Sequence, residues 1–155
     1  MRVLFFADIF GRPGRRAVAA ELPALKKDFD PDFIIGNVEN LAGGRGVNWK
    51  TFEELCDLGF HAFTSGNHTW DNKEVFGILE QDMRLLRPAN FPSPNDDPCP
   101  GKGVGVFENR GKKLMLVNLL GRVFMADIDC PFQTVQSILR EAPRGVPVLV
   151  DMHCD

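Results

Sequence analysis

Thr64-Ser65-Gly66-Asn67-His68-Thr69-Trp70-Asp71 is the stretch around which the chain is organised. An apolar run from Phe60 to Phe63, broken only by His61, leads into Gly66-Asn67-His68, and a helix signal begins just after it. The two polar side chains therefore stand where a buried strand ends and the backbone turns outward. In open α/β sheets that carboxyl edge is where ligands bind. Asn67 offers a neutral oxygen suited to a metal, and His68 an imidazole suited to a metal or to proton transfer. Gly-Asn is also ordinary turn chemistry, so the deciding question is whether other strands bring partners to the same edge.

With 155 residues the chain is expected to form a single domain, residues 1–155, able to bury a core without disulfides. Its 44% apolar and 25% charged residues are those of an ordinary globule, and no apolar run reaches the length of a membrane span. The start, Met1-Arg2-Val3-Leu4-Phe5-Phe6-Ala7-Asp8, is too short and too soon acidic for a signal peptide. Cys56, Cys99, Cys130 and Cys154 form no Cys-x-x-Cys pair and read as reduced thiols, which points to the cytoplasm. A net charge of −3 argues against a broad nucleic-acid surface.

Along the chain, Arg2 to Ala7 reads as a buried strand ending at Asp8. Gly11-Arg12-Pro13-Gly14 turns into a helix carrying Val18, Leu22, Leu25 and Phe29, which Pro23 is expected to kink or interrupt. Asp32 to Ile35 is a second strand, ending at Gly36-Asn37-Val38-Glu39-Asn40. After the glycine-rich loop Ala42 to Gly46 comes a helix from about Asn48 with Phe52, Leu55 and Leu58. Asp71-x-x-Glu74 resembles a capping box for a helix with Val75, Phe76, Leu79 and Met83. Pro88, Pro92, Pro94, Pro98 and Pro100 mark a long surface loop over Arg87 to Gly103, with Phe91 anchoring it or free to stack a base. Val104 to Glu108 and Lys113 to Leu119 form a hairpin about Asn109-Arg110-Gly111. Pro131 opens a helix with Phe132, Val135, Ile138 and Leu139, and Val146 to Met152 is a last strand ending at His153.

Four strands thus end in polar residues: Asp8; Glu39 and Asn40; Asn67 and His68; and His153. Right-handed crossovers between parallel strands place their carboxyl ends on one edge. A donor set of carboxylate, amide and imidazole without thiolate favours octahedral Mn²⁺ or Fe over a structural zinc. Asp8 and Glu39 can hold two divalent ions only if Glu39 bridges them, and the remaining positive charge suits a phosphate ester. Two such ions lower the pKa of a shared water and clamp both oxygens of an in-line displacement. His68, beside Asn67, is placed to protonate the leaving oxygen.

Asp8-Ile9-Phe10-Gly11, Asn37-Val38-Glu39-Asn40 and Gly66-Asn67-His68-Thr69-Trp70-Asp71 resemble the calcineurin-like metallophosphoesterases. More narrowly, they resemble the YmdB-like branch related to 2′,3′-cyclic-nucleotide phosphodiesterases. Arg87-Pro88-Ala89-Asn90-Phe91-Pro92, Pro100-Gly101-Lys102-Gly103, Asn118-Leu119-Leu120-Gly121-Arg122-Val123-Phe124-Met125 and Val150-Asp151-Met152-His153 carry the likeness along the rest of the chain. The resemblance implies an α/β fold of packed β-sheets flanked by helices in four layers. It implies Asp8, Glu39 (bridging), Asn40, Asn67 and His153 as metal ligands, His68 as the proton donor, and Fe or Mn as the two ions. The implied substrate is a small phosphodiester, including a 2′,3′-cyclic nucleotide; a homo-oligomer stays open. The rival reading is a metal-binding regulatory or RNA-associated module with little hydrolysis.

Three departures stand out. Val38 replaces the branch's usual Gly before the bridging Glu, and Cys154-Asp155 replaces its Ala-Glu. The family's later Gly-x-His-x-His is absent, so the expectation is a fragment whose sheet and ligand set are incomplete and which alone binds metal poorly, an inert truncation product being the second rival reading. Singly, each residue also has a plain reading: Asp8 as a helix cap, Glu39-Asn40 as a solvated turn, His153 as packing. Asp151 shares a strand face with His153 and either orients its ring or pairs elsewhere. Arg12 sits in a loop without the P-loop ending, where surface charge competes with phosphate contact. His61 reads as a surface or packing residue, and Cys154 points to the strand face opposite His153.

Overall fold

A computed structural model describes residues 1–92 and 99–154 of the chain. The expectations for Pro94, Pro98 and Asp155 lie outside the described residues. The elements are β1 (Val3–Phe6), α1 (Gly11–Phe29), β2 (Phe33–Asn37), α2 (Trp49–Asp57), β3 (Ala62–Thr64), α3 (Glu74–Gln81), β4 (Val104–Asn109), β5 (Lys112–Leu120), α4 (Pro131–Arg140) and β6 (Val148–His153).

Two three-stranded sheets form, in the orders β1-β2-β3 and β4-β5-β6. The first is wholly parallel, as helix-linked strands require. In the second, β4 and β5 form an antiparallel hairpin and β6 joins β5 in parallel, with Leu120 opposite His153. The two-residue turn Arg110-Gly111 has φ of 49° and 71°, the left-handed backbone that matches strand twist.

Strand alternation sorts the core into layers. Ile34 and Phe63 face outward from the first sheet onto Val18 and Leu22 of α1, Phe52 and Leu55 of α2, and Val75 and Ile78 of α3. Phe33, Ile35 and Ala62 face the other way and pack between the sheets on Leu114 and Leu116. Met115, Val117 and Leu119 cover the far face of the second sheet together with Val135 and Ile138 of α4. The order is helix, sheet, sheet, helix, the four-layer arrangement expected.

Three local expectations need correction. α1 runs unbroken through Pro23. The ring sits on the solvent side and leaves the carbonyl of exposed Ala19 to water, so the lost bond is tolerated. The capping box does not form: α3 begins after Lys73 without a side-chain cap, and Glu74 Oε2 instead accepts from the Trp49 N–H at 2.9 Å. The proline-rich segment is not simply a surface loop, because Leu85 to Pro88 and Asn90 are buried in the seam between the sheets. Arg84 to Leu86 bonds along Phe63, and Arg87 and Ala89 bond across to Lys102 and Asn118. Asn90 clasps the Leu120 backbone, accepting from its N–H at 2.9 Å and donating to its carbonyl at 2.8 Å. Phe91 meets Trp70 edge to face with centroids 5.5 Å apart, which anchors the segment.

The cap of α2 is Asn48, whose Oδ1 accepts from the Thr51 N–H at 2.9 Å. Asn48→Ala is expected to destabilise the chain by about 1 kcal/mol, read as a lower midpoint in urea unfolding. At the opposite, amino end of the sheets, Asp32 accepts from the Arg2 N–H and from Lys112 Nζ, tying β1, β2 and β5 together.

Candidate functional site

The backbone turns out after β1, β2 and β3 at one edge, and β6 ends beside them. Asp8 sits just past β1 with φ of 51°, a left-handed conformation that aspartate tolerates better than most residues. The exit of β1 is tied to that of β2 by Ile9 N–H to the Asn37 carbonyl at 3.1 Å and Gly11 N–H to the Asn40 carbonyl at 2.8 Å. Phe10, not Asp8, takes the cap position of α1, and Asp8 Oδ1 instead accepts from Asn40 Nδ2 at 2.8 Å. The same amide nitrogen donates to Glu39 Oε1 at 3.1 Å. Glu39 is only 2% exposed and Asn40 7%, so neither belongs to a solvated turn.

From the third strand, the His68 N–H approaches Glu39 Oε2 at 3.3 Å. From the second sheet, His153 Nε2 lies 2.9 Å from Asn67 Oδ1 and 3.1 Å from Glu39 Oε1. The Glu39 carboxylate beside it raises the His153 pKa, against the opposing pull of burial. Gly66 makes this closeness possible: a Cβ there would run into Glu39 Oε2 and the His153 ring. All six residues singled out from the sequence thus meet in one connected cluster.

Asp71, read from the sequence only as a helix cap, lies against the cluster. Its Oδ2 stands 2.7 Å from His68 Nδ1 and 3.7 Å from Arg45 Nε. The other ring nitrogen of His68, Nε2, lies 3.4 Å from Asn67 Nδ2. The spacing of three that suggested a helix cap is also the spacing of a tight turn, Asp71 N–H to the His68 carbonyl at 3.2 Å. Asp151 does not meet the His153 ring nitrogens; its Oδ2 accepts from Asn37 Nδ2 at 3.3 Å. Arg12 lines a groove between α1 and α2 with Arg15, Arg16, Glu54 and Asp57. His61 packs on Phe33 and accepts from the Ile34 N–H at 3.0 Å.

The donor chemistry can be tested on spacing. Ligand bonds of about 2.1 Å at right angles put neighbouring donors about 3.0 Å apart. Asn67 Oδ1 and Glu39 Oε1 lie 2.9 and 3.1 Å from His153 Nε2, which fits adjacent ligands of one cation. Among the described residues, no group of three His, Cys, Asp or Glu side chains suffices for an ion, so any ion held there would need amide oxygens in its donor set.

Comparison with known proteins agrees with this architecture. The family model described as "YmdB-like protein" matches residues 4–155. The 2′,3′-cyclic-nucleotide 2′-phosphodiesterase of Bacillus subtilis (strain 168) is 40% identical over 156 residues, covering all of this chain and 58% of that protein. A hypothetical protein from Thermus thermophilus superposes with a TM-score of 0.89 at 38% identity, over all of this chain and 58% of that one. A putative 5′-nucleotidase from Staphylococcus aureus shares the fold alone, with a TM-score of 0.65 at 16% identity over 97% of this chain and 36% of that one. The chain spans a little over half the length of the first two relatives. With the family model matched from Leu4 to the last residue, the chain belongs to the YmdB-like family.

Proposed function

We propose that the chain carries the phosphoryl-transfer site of a metal-dependent phosphodiesterase acting on small esters such as 2′,3′-cyclic nucleotides. The observation that supports this most is the convergence of Asp8, Glu39, Asn40, Asn67 and His153 on one cluster with His68 beside it. Asp8, Glu39, Asn67 and His153 would hold two divalent ions, Fe or Mn, with Glu39 shared between them. Asn40 joins them by turning its amide oxygen inward, a side-chain rotation that leaves its backbone in place. When bound, such a pair supplies a water of lowered pKa and neutralises phosphoryl charge. The residues do the rest: His68 Nε2 gives a proton to the departing oxygen, and Asp71 holds Nδ1–H so that the ring presents the correct nitrogen. The absence of any Cys-x-x-Cys pair in the sequence supports reading this activity as cytoplasmic.

Asp71→Asn is expected to lower kcat by about 10–100-fold with KM little changed, because orientation of the acid, not substrate binding, is lost. Steady-state kinetics with 2′,3′-cyclic AMP read both constants. The proposal itself is tested by assaying a nitrophenyl phosphodiester and 2′,3′-cyclic AMP with and without added Mn²⁺. Hydrolysis that needs the metal supports it. Binding of the nucleotide with no hydrolysis in the chain or in a longer form of the protein overturns it in favour of a binding module.

A further inference from the structure

Beneath the cluster lies a wholly enclosed amide that the proposed chemistry leaves unused. Asn118, in β5, is 0% exposed. Its Oδ1 accepts from the Ser65 N–H at 2.9 Å, and its Nδ2 donates to the Ser65 carbonyl at 2.9 Å. One side chain thus pairs with both backbone groups of the residue just past β3 of the other sheet, as a neighbouring strand would.

We propose that Asn118 is a positioning residue of the site, its clasp on Ser65 setting Asn67 against His153. The proposal rests on the reading of the cluster as a metal centre. The contacts close a ring. Asn118 holds Ser65, and Ser65 leads through Gly66 to Asn67. Asn67 Oδ1 meets His153 Nε2 at 2.9 Å, and the β5–β6 ladder returns from His153 opposite Leu120 to Asp151 opposite Asn118. Apolar packing between the sheets is non-directional and holds them face to face without fixing this register. The paired bonds of the amide are directional; without them the buried Ser65 N–H has no partner and the carbonyl keeps only the longer bond from Asn37 Nδ2 at 3.4 Å. The Ser65 side chain is a separate matter: its Oγ donates to the Leu86 carbonyl at 2.9 Å, accepts from Thr69 Oγ1 at 2.9 Å and takes no part in the clasp.

The test compares the native chain, Asn118→Asp and Ser65→Ala. Asn118→Asp keeps the acceptor but sets a carboxylate against the Ser65 carbonyl. Ser65→Ala keeps the clasp while removing two buried hydrogen bonds, and Thr69 Oγ1 keeps its bond to the Gly66 carbonyl. Without metal, the ¹⁵N signals of the His153 ring are expected to move in Asn118→Asp and to stay in Ser65→Ala. With Mn²⁺ added, broadening of those signals is expected to need about tenfold more ion in Asn118→Asp, and no more than about twofold more in Ser65→Ala. Should Asn118→Asp fail to fold, Asn118→Ser, which leaves room for water to satisfy Ser65, makes the same comparison. Unmoved ring signals in the Asn118 variant overturn the proposal, as do equal effects in both variants. Native signals that stay sharp in excess Mn²⁺ overturn the metal-centre reading instead, and the metal-free shifts still decide the clasp.

Discussion

His68→Ala is expected to lower hydrolysis of 2′,3′-cyclic AMP by about 10²–10⁴-fold while bound Mn²⁺ stays at the native level. Two features separate His68 from the other members of the cluster. Its Nδ1 is engaged by Asp71 at 2.7 Å, so Nε2, which lies 3.4 Å from Asn67 Nδ2, is the nitrogen that would meet a reacting group. Its contact with Glu39 is made by the backbone N–H, at 3.3 Å, and an alanine keeps that bond. The ring can therefore be removed without disturbing the carboxylate. The loss also depends on the leaving group. A ribose oxygen departs poorly unless protonated, whereas nitrophenolate leaves unaided, so the nitrophenyl ester is expected to lose far less. Equal losses on both substrates, or loss of the metal with the ring, would show that His68 is not the acid.

The second large effect is expected from a single methyl group. Gly66→Ala places a Cβ against Glu39 Oε2 and the imidazole of His153. Neither neighbour can yield cheaply: Glu39 is enclosed, and His153 is held in a paired strand opposite Leu120. Overpacking of this kind costs about 1–3 kcal/mol, and here it separates two of the proposed ligands. Mn²⁺ affinity, measured by calorimetry, is expected to fall at least about tenfold, in line with losses from disturbed ligand support. The far-UV circular dichroism should stay native, since the packing of the layers does not involve this position. Native affinity in Gly66→Ala would mean that Glu39 and His153 do not serve one centre.

Much of this architecture was legible in the sequence because each parallel strand is an apolar run that stops at a polar residue. Those stops are Asp8, Glu39-Asn40 and Asn67-His68, and the topology carries them to one edge. His153 was legible for the same reason, although it belongs to the other sheet. What escaped was non-local or ambiguous. The Asp71 to Glu74 spacing fits a helix cap, and only three dimensions show the carboxylate turned to His68. Asn118, within the apolar run Leu114 to Leu120, gives no hint of a partner 53 residues earlier in the chain. The prolines around Arg87 announce irregular backbone, yet Arg87 is buried and donates to the Pro88 and Pro100 carbonyls, bonds that no local pattern encodes.

The division of the cluster between two sheets bears on which ion is preferred. Asp8, Glu39, Asn40 and Asn67, all in the segments that follow strands of the first sheet, offer oxygen alone; the imidazole of His153 arrives on β6 of the second. Oxygen-only sites suit hard cations such as Mg²⁺ and Ca²⁺, and an added nitrogen shifts preference toward the transition series. In the proposed centre, discrimination between these classes is therefore created by the meeting of the two halves, and a chain whose halves part slightly would drift toward magnesium before it lost its helices.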